Sequence, residues 1–269
     1  MRADQLLVHR GLASTRAQAQ RLISSGVRWL TQTTDEAKWK KVVKNGDIIP
    51  DDAKVELLND AEARYVSRGG LKLEGALQQL GLSVQGATCL DVGQSTGGFT
   101  DCLLQHDAAY VVGVDVGFGQ LHDKIRTDPR VLCVEHTNAR EVGLIATNII
   151  ALQAINTPSE GQFSTENQVE FDLIVGDLSF ISQTLVLPAI APLLKPLGQM
   201  VMLVKPQFEL NFGQVGKGGI VKDETLYAQV EKRVRDAYQA QGLSVQAWLK
   251  SPIDGGDGNR EFFIHATKK

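Results

Sequence analysis

An acidic residue followed by a glycine-rich turn is the first feature of this sequence that could bind a ligand. In the stretch CLDVGQSTGGFTDCLL (residues 89–104), Asp91 ends an apolar run and a cluster of glycines follows. Where such a turn leads from a strand into a helix, backbone N–H groups and the positive end of the helix dipole face the bound ligand. The residues predicted to form this binding turn are Asp91, Gly93, Ser95, Thr96, Gly97 and Gly98.

The spacing of the glycines and a second carboxylate indicate which ligand the turn binds. A nucleotide P-loop needs G-x-x-x-x-G-K-[ST], which neither this stretch nor GQVGKGG (residues 213–219) supplies. A dinucleotide fingerprint needs G-x-G-x-x-G, but with Gly93 first, Ser95 stands where the second glycine should be. What remains is D-x-G-x-x-x-G-G, followed by Asp115 at the end of the next predicted strand, where a carboxylate can bind a ribose diol. This arrangement suits S-adenosylmethionine, with its amino acid end over the turn.

The turn belongs to a repeated order of strand, glycine turn and helix that begins near residue 73. The predicted strands are the short runs ATCLDVG, YVVGVDVG, RVLCVEHT, FDLIVGDLSF, QMVMLVKPQ and REFFIHATK. Most of them lack polar alternation, as expected of strands that are buried on both faces of a sheet. Helices are predicted at GFTDCLLQHD, LPAIAPLLK and DETLYAQVEKRVRDAYQAQG. This order predicts a doubly wound α/β sheet that binds ligands at the carboxyl ends of its strands.

The first 58 residues are organised differently, as two short helices followed by strands. The helices are predicted at RADQLLVHRG and at STRAQAQRLISSG, the second with a capping box between Thr15 and Gln18 and with Ala17 on its core side. VRWL, KVVKNGDIIP and KVELL predict strands. This unit resembles the S4 RNA-binding domain, although the longer stretch VRWLTQTTDEAKWKKVVKNGD replaces the short hairpin of that domain. The matching residues are Arg2, Asp4, Leu7, Gly11, Leu12, Ser14, Arg16 and Ala19.

Composition indicates a globular protein whose charge is unevenly distributed. The chain has 269 residues, 43% of them hydrophobic, and a net charge of −3. Residues 1–72 hold 13 Lys and Arg against 9 Asp and Glu, a net charge of +4, so the remainder carries −7. A basic end on an acidic protein favours a polyanionic partner bound at that end, although a solvated surface explains the asymmetry equally well.

Several classes of protein are disfavoured by the same sequence. No run approaches the roughly 18 apolar residues of a membrane span, and the charged start MRADQLLVHR has no signal-peptide core, so we expect a cytoplasmic location and no membrane partner. Cys89, Cys102 and Cys133 are odd in number and lie in apolar segments, which favours reduced thiols. The histidines are scattered without metal-ligand spacing, so no metal site is predicted.

The motifs taken together resemble those of the TlyA family, S4-domain ribosomal RNA methyltransferases related to the FtsJ ribose 2′-O-methyltransferases. In addition to the glycine-rich stretch, the resemblance rests on DLSFIS, LVKPQFE, GGIVKD and GGDGNREFF, which occur in this order along the chain. It implies an S-adenosylmethionine-dependent enzyme that methylates a ribose 2′-hydroxyl of ribosomal RNA, with cytidine as the nucleotide. It also implies a Rossmann-like class I methyltransferase sheet with a small N-terminal α+β S4 domain. Two features depart from the family: Gln94 replaces a small residue, and a polar loop at residues 141–169 is longer.

The resemblance also implies the catalytic residues. Relatives in the FtsJ group use a Lys-Asp-Lys-Glu tetrad, and the matching motifs place it at Lys72, Asp177, Lys205 and Glu261. A ribose hydroxyl is a weak acid, so the enzyme must orient it and assist loss of its proton. We expect Lys205 to accept the proton or to organise its transfer, with Asp177 orienting Lys205. Lys72 and Glu261 are expected to position the ribose.

The RNA is expected to bind at the N-terminal end of the chain. The predicted contacts are Arg2, Arg10, Arg16, Arg21 and Arg68. The expected domains are an S4-like domain at residues 1–60, a linker at 61–72 that carries the first catalytic lysine, and a methyltransferase domain at 73–269. Ribosomal RNA or a ribosomal subunit is the expected partner.

Other functions remain open at this level. The family has also been labelled as haemolysins, and a membrane-active protein is one alternative, disfavoured because the sequence has no membrane span or clear basic amphipathic helix. An RNA-binding protein without methyl transfer is another, disfavoured by the complete tetrad. The S4-like helices could bind a protein, the glycine turn could be purely structural, and Lys217 and Lys222 could contact phosphate or only solvent.

Overall fold

The computed structural model of the protein describes residues 1–30, 39–58, 63–142 and 170–269. The chain forms two compact units, Met1–Leu71 and Lys72–Lys269, called here the N-terminal and C-terminal units. Most of the predicted inserted loop, residues 143–169, lies outside the described residues, as does segment 31–38 of the lengthened hairpin. Across the described part of the chain, no helix has the length and apolar character that crossing a membrane requires.

The N-terminal unit has the predicted order of two helices followed by strands. Its elements are α1 (Ala3–His9), α2 (Arg16–Gly26), β1 (Val27–Leu30), β2 (Lys40–Lys41) and β3 (Lys54–Leu57). The strands form an antiparallel sheet in the order β2-β1-β3. The helices pack with the sheet through a core of buried aliphatic side chains that includes Leu6, Leu7, Leu22, Ile23, Val27 and Ile49.

The start of α2 differs in detail from the prediction. Thr15 Oγ1 accepts a hydrogen bond from the Gln18 backbone N–H at 3.2 Å, as a capping box requires. The Gln18 side chain, however, accepts from the backbone N–H of Ser14 at 2.7 Å, one residue before the cap. Ala17 was expected on the core side but is exposed, because the buried face of this helix runs through Ala19.

The C-terminal unit is a doubly wound α/β sheet, as predicted, and its described residues form seven strands. The strands are β4 (Thr88–Val92), β5 (Tyr110–Val114), β6 (Val131–Val134), β7 (Phe171–Gly176), β8 (Leu194–Val204), β9 (Leu243–Lys250) and β10 (Phe262–Lys268). Their order is β6-β5-β4-β7-β8-β10-β9, and β10 runs antiparallel to both of its neighbours. The described α-helices from residue 68 onward are α3 (Arg68–Leu80), α4 (Gly98–Gln105), α5 (Asp123–Arg126), α6 (Leu187–Ile190), α7 (Pro206–Glu209) and α8 (Leu226–Ala240).

Several elements of this unit differ from the prediction, which did not include helices α3, α5 and α7. Strand β9 was missed because it lies at the edge of the sheet, where its residues are only partly buried and its apolar run is interrupted by Ser244 and Gln246. The helix predicted at LPAIAPLLK ends at Ile190 and continues as a 3₁₀ turn, and β8 begins at Leu194. Pro192 explains the early end, because proline lacks the N–H that the interior of an α-helix needs.

The sheet brings the predicted site residues to one edge. Its strand order reverses between β4 and β7, which are parallel neighbours. Ligands of open α/β sheets bind outside the carboxyl ends of the strands at such a reversal. Gly93 follows β4, Asp115 follows β5, Asp177 follows β7 and Lys205 follows β8, so all four lie at this edge.

Candidate active site

The glycine-rich turn lies directly against the end of β7. Gly93 has a φ of +84°, and a Cβ atom at this position would lie 3.0 Å from the backbone oxygen of Asp177. A larger residue would therefore be strained and would also collide with backbone. Gly97 is the N-cap of α4 and Gly98 is the first residue of that helix, so the turn leads into the helix as predicted.

Asp91 supports the turn from inside the protein. Its side chain is fully buried, and Oδ2 accepts a hydrogen bond from Thr100 Oγ1 at 2.7 Å. Burial raises the pKa of this carboxyl to about 7, although the Thr100 hydrogen bond opposes the shift. Asp91 was predicted to contact the ligand, but the structure places it behind the turn, bonded to α4.

Gln94, the departure from the family noted above, is accommodated by a glycine on the neighbouring strand. Its side chain is 3% exposed and fills the space beside Gly113 of β5, where a Cβ atom would lie 1.9 Å from Gln94 Cδ. Its amide Nε2 donates a hydrogen bond to Thr100 Oγ1 at 2.9 Å. Thr100 in turn donates to Asp91, so the three side chains form a buried chain beneath the turn.

Asp115 lies at the rim of a cavity next to the turn. Its Oδ2 accepts from the Ser95 backbone N–H at 2.8 Å, and its Oδ1 accepts from the Gly117 N–H at 2.7 Å. The cavity has a volume of about 450 Å³ and extends from the turn to the loop after β7. Its lining includes Gly93, Ser95, Val114, Asp115, Val116, Gln120, Asn138, Asp177, Leu178 and Ile181.

The cavity fits a nucleoside-type cofactor by size and by lining. Its volume falls in the range of about 300–1,000 Å³ that is usual for small-molecule sites. Apolar side chains can enclose a base, while the Asp115 carboxylate remains at the rim to accept hydrogen bonds from a ribose. Of the predicted cofactor contacts, Gly93, Ser95 and Asp115 line the cavity, whereas Thr96, Gly97 and Gly98 belong to the turn behind it.

The four residues of the predicted tetrad form two ion pairs. Lys205 Nζ lies 2.6 Å from Asp177 Oδ1, and Lys72 Nζ lies 2.6 Å from Glu261 Oε2. The first pair retains access to solvent, since the side chains are 12% and 25% exposed, whereas the second pair is buried. Lys205 Nζ also donates a hydrogen bond to Ser179 Oγ at 2.8 Å.

The two pairs lie within electrostatic reach of each other. Burial raises the pKa of Glu261, and the cation of Lys72 opposes that shift. The charges of Asp177 and Lys205 also act on Glu261, the first raising and the second lowering its pKa. All four predicted residues therefore lie near one another. Lys72 is contributed by α3, the helix that precedes the first strand of the sheet in the chain.

Sequence reasoning missed several side chains that shape this site. Phe180 is 91% exposed with a φ of +63°, and its ring contacts that of Phe208 with centroids 5.2 Å apart. Buried Asn259 accepts from the Val221 N–H at 2.9 Å and donates to the Gly219 oxygen at 2.9 Å, which ties the GGIVKD segment to the loop before Glu261. Asn259 and Phe180 lie inside motifs already identified, but their residue types alone do not indicate these contacts.

The arginines of the N-terminal unit are held by internal bonds. Asp4 is fully buried, and it pairs with Arg2 Nε at 3.1 Å and with Arg16 Nη2 at 2.9 Å. The hydrogen bond from Arg2 and the contact with Arg16 hold the pKa of Asp4 well below its usual range. Both arginine side chains remain about half exposed, so they can still face a ligand.

The remaining predicted RNA contacts have different surroundings. Arg10 donates to the backbone oxygens of Ala53 and Asp51, so it braces the N-terminal unit. Arg21 is half-buried in α2, and Arg68 is half-buried at the first residue of α3. Arg10 thus has internal bonds that motif matching did not indicate, and its contact with RNA stays a prediction.

Comparisons with known proteins agree with this geometry. Residues 65–268 match the FtsJ-like methyltransferase family, and residues 1–26 match the S4 domain. The chain is 41% identical over 263 residues to the 16S/23S rRNA (cytidine-2'-O)-methyltransferase TlyA of Mycobacterium tuberculosis, covering 98% of this chain and 88% of that protein. It is 36% identical over 265 residues to Hemolysin A of Brachyspira hyodysenteriae, covering 98% and 99% of the two chains.

A solved structure shows the same relationship. A Streptococcus thermophilus protein, provisionally named a hemolysin, superposes with a TM-score of 0.68 at 38% identity, over 100% of this chain and 88% of that chain. The expected class I methyltransferase sheet and the N-terminal S4 domain are confirmed by the family matches and the strand order. The chain therefore belongs to the TlyA family of FtsJ-like methyltransferases that carry an S4 domain.

Proposed function

We propose that this protein transfers the methyl group of S-adenosylmethionine to the 2′-hydroxyl of a cytidine in ribosomal RNA. The observation that carries the proposal is the pair of Lys–carboxylate contacts, Lys205 with Asp177 and Lys72 with Glu261, beside a nucleoside-sized cavity at the carboxyl edge of the sheet. The rRNA cytidine-2'-O-methyltransferase named among the relatives supports the choice of substrate. Because ribosomal RNA is the substrate, we place the protein in the cytoplasm.

The cavity residues would hold the cofactor between the glycine turn and Asp115. Asp115 would accept hydrogen bonds from the ribose hydroxyls, and the two backbone N–H groups that it already binds keep its carboxylate in place. Gly93 lets the turn approach the end of β7 closely, so a cofactor held over the turn would lie beside Asp177. S-adenosylmethionine would supply a methyl group on a sulfonium, and attack of an oxygen nucleophile on that methyl group, in line with the C–S bond, releases the sulfur as a neutral thioether.

Lys205 and Asp177 would act on the reacting hydroxyl. Lys205 would first lose a proton to solvent, to which the pair retains access, and the neutral amine would then accept the ribose proton. The Asp177 carboxylate, 2.6 Å from Nζ, would orient that amine toward the hydroxyl oxygen and then pair with the ammonium that forms. The hydrogen bond from Nζ to Ser179 Oγ would further restrict the orientation of the Lys205 amine. Orientation is a large part of such catalysis, because a hydroxyl held in line with the methyl group no longer has to find that geometry by diffusion.

The buried pair would hold the ribose. Lys72 and Glu261 are almost fully buried, so each compensates the charge of the other, and removal of either would leave an uncompensated charge. Their fixed positions allow the ammonium group of Lys72 to meet an RNA oxygen without reorganisation. Phe180 presents an exposed ring near Ser179, and such a ring can stack on an unpaired base.

We assign RNA binding to the S4-like domain at residues 1–60, joined by a linker at 61–72 to the methyltransferase domain at 73–269. Arg2, Arg16 and Arg21 of this domain and Arg68 of the linker would contact phosphates, whereas Arg10 would brace the fold. If arginines contact the phosphates, RNA affinity should fall steeply as the salt concentration rises, because each neutralised phosphate releases counterions. Ribosomal subunits are the proposed partners.

The test is methyl transfer to ribosomal RNA from a strain that lacks the gene. Purified protein and radiolabelled cofactor should place one or more 2′-O-methyl groups, mapped by resistance of the modified linkages to alkaline hydrolysis. The same positions should be modified in the parental strain and unmodified in the strain without the gene. Modification of a base in place of a ribose would overturn the proposal.

Membrane lysis, the activity implied by the name of one relative, has its own measurement. Pure protein at micromolar concentration should leave dye-loaded liposomes intact if methyl transfer is its activity. Rapid dye release by protein that transfers no methyl group would favour lysis.

A further inference from the structure

Two loops at the edge of the sheet carry Asp177 and Lys205, and their relative position decides the contact between those residues. Asp177 opens the loop after β7, and Lys205 is the N-cap of the short helix α7 after β8. The strands themselves are hydrogen-bonded neighbours, but both residues lie beyond the last bonded pair, Gly176 with Met202. The Asp177 N–H donates to the Val92 oxygen of β4 at 3.1 Å, but the ladder between β7 and β8 does not itself fix one loop against the other.

Glu209 joins the two loops through both of its carboxylate oxygens. Its Oε2 accepts a hydrogen bond from Ser182 Oγ at 2.5 Å, and its Oε1 accepts from the Gln183 backbone N–H at 2.8 Å. Glu209 is the last residue of α7, four residues after Lys205, and Ser182 lies five residues after Asp177. The carboxylate thus forms a second bridge across the same two loops, inside the protein and 3% exposed.

Neighbouring hydrogen bonds determine which groups donate in this bridge and hold both of its ends in place. The Ser182 hydroxyl has one proton, which goes to Glu209, so the Thr184 hydroxyl 2.7 Å away must donate to Ser182. Gln183 is itself held by Tyr238 of α8, whose hydroxyl donates to Gln183 Oε1 at 2.8 Å. Arg233 of the same helix donates to the backbone oxygen of Glu209. Both sides of the bridge are therefore anchored to α8.

A buried carboxylate is a costly way to join two loops. Burial raises the pKa of Glu209, while the bonds from Ser182 and Gln183 oppose that shift. Apolar side chains could hold the loops together without burying an ionisable group, but their contacts are not directional. A carboxylate with two fixed donors sets both the distance and the angle between the loops.

We propose that Glu209 is a positioning residue, which fixes the loops after β7 and β8 so that Lys205 and Asp177 meet in the geometry that proton removal requires. The inference rests on the proposed function, because it assigns Glu209 a part in the same reaction. Glu209 acts through Lys205 and Asp177 and does not line the cavity.

The test compares Glu209→Ala with Glu209→Gln in single-turnover methyl transfer at saturating cofactor and RNA. In Glu209→Ala we expect the rate to fall about tenfold to a hundredfold, the loss that a misplacement of about 1 Å can cause. Affinity for S-adenosylmethionine and for RNA should stay within a few-fold of the parent. Glutamine can accept from the Gln183 N–H and donate to Ser182 Oγ if the Ser182 hydroxyl turns to donate to Thr184, so Glu209→Gln should keep most of the parental rate. Glu231→Ala, which removes an ion pair with Arg235 on α8, is the matched control and should keep the parental rate.

Two outcomes would refute the inference. One is a parental rate in Glu209→Ala. The other is an equal loss of rate and of cofactor affinity, the pattern of a general loss of structure. If Glu209→Ala does not fold, Ser182→Ala decides, because it removes only one of the two bonds: a reduced rate with cofactor affinity intact supports the role, and a parental rate refutes it.

A second measurement separates this inference from the proposed function. In protein with ¹³C-methylated lysines, the Lys205 signal, assigned with Lys205→Arg, should move toward that of a free lysine in Glu209→Ala, while the Lys72 signal stays in place. If the parental protein methylates no RNA, the proposed function fails, and this spectrum still reports whether Glu209 positions Lys205. An unmoved Lys205 signal would refute the positioning role.

Discussion

Lys205 Nζ lies 2.6 Å from Asp177 Oδ1 across the carboxyl ends of two parallel neighbours, β8 and β7. The same two strands carry another ion pair at their other ends, where Lys195 Nζ lies 2.7 Å from Asp172 Oδ1. Only the first pair lies beside the cavity, since Asp177 is part of the lining. Lys195 is therefore a matched control for Lys205: it forms the same kind of ion pair between the same two strands, but away from the cavity.

Replacement of Lys205 by alanine should lower single-turnover methylation by about 10²–10⁴-fold, the usual contribution of a side chain that transfers a proton. Affinity for RNA and for S-adenosylmethionine should change by only a few-fold, and Lys195→Ala should transfer methyl groups at the parental rate. Arginine keeps the charge but stays protonated, so Lys205→Arg should also be slow. A parental rate in Lys205→Arg would mean that the residue positions charge and does not accept the proton.

Replacement of Asp115 by alanine should weaken S-adenosylmethionine binding, measured by calorimetry. A lost hydrogen bond to a charged group is worth roughly 1.5–3 kcal/mol, or about tenfold to more than a hundredfold in affinity. Asp128→Ala, which removes a salt bridge with Arg130 before β6, should leave affinity unchanged. Equal affinities in all three proteins would exclude Asp115 from the cofactor site.

The buried Asp91 carboxyl should make folding stability depend on pH. Its pKa is raised to about 7 in the folded protein, above the ordinary aspartate pKa of about 4. Between these pH values the folded state keeps a proton that the unfolded state has released. The contribution of this group to the free energy of unfolding is therefore highest at low pH. It falls by at most about 4 kcal/mol as the pH rises from about 4 to about 7.

Asp91→Asn removes that titration and isolates it from the other groups. Urea unfolding should be measured at a series of pH values from 5 to 8. The free energy of unfolding of Asp91→Asn minus that of the parent should increase as the pH rises. A constant difference between the two proteins over this range would show that Asp91 is ionised throughout.

Gly113 and Gln94 should be coupled, because a Cβ atom at residue 113 would occupy the space of the Gln94 side chain. Gly113→Ala should destabilise the protein by about 1–3 kcal/mol, as overpacking in a buried site does. Gln94→Ala opens that space, so the double variant should be more stable than Gly113→Ala alone. Additive effects of the two substitutions in thermal unfolding would contradict the packing described here.

Arg21 should contribute to RNA affinity through charge. In Arg21→Gln, the slope of the logarithm of affinity against the logarithm of salt concentration should become shallower by about one unit, as expected for one phosphate contact. Arg28→Gln is the control, because Arg28 lies in β1 and is not among the predicted RNA contacts. An unchanged slope in Arg21→Gln would remove this residue from the RNA surface.

Short-range patterns along the sequence were sufficient for the type and order of most elements. Runs of apolar residues predicted six of the seven strands of the C-terminal sheet. The glycine turn after β4 was predicted together with the helix that follows it. These features depend on local propensity and periodicity, which a single sequence contains. Family motifs added the four tetrad residues, with the carboxyl edge of the sheet as their expected location.

The contacts between residues distant in the chain were decided only by the tertiary structure. Lys72 meets Glu261 across 189 positions of sequence, and Glu209 meets Ser182 through a buried carboxylate that no local pattern marks. Asp91 looks like a ligand contact in the motif, yet the packing of α4 buries it against Thr100. The physical reason is that burial, ion pairing and the pKa of a side chain depend on which elements pack around it, and that packing is a property of the folded chain as a whole.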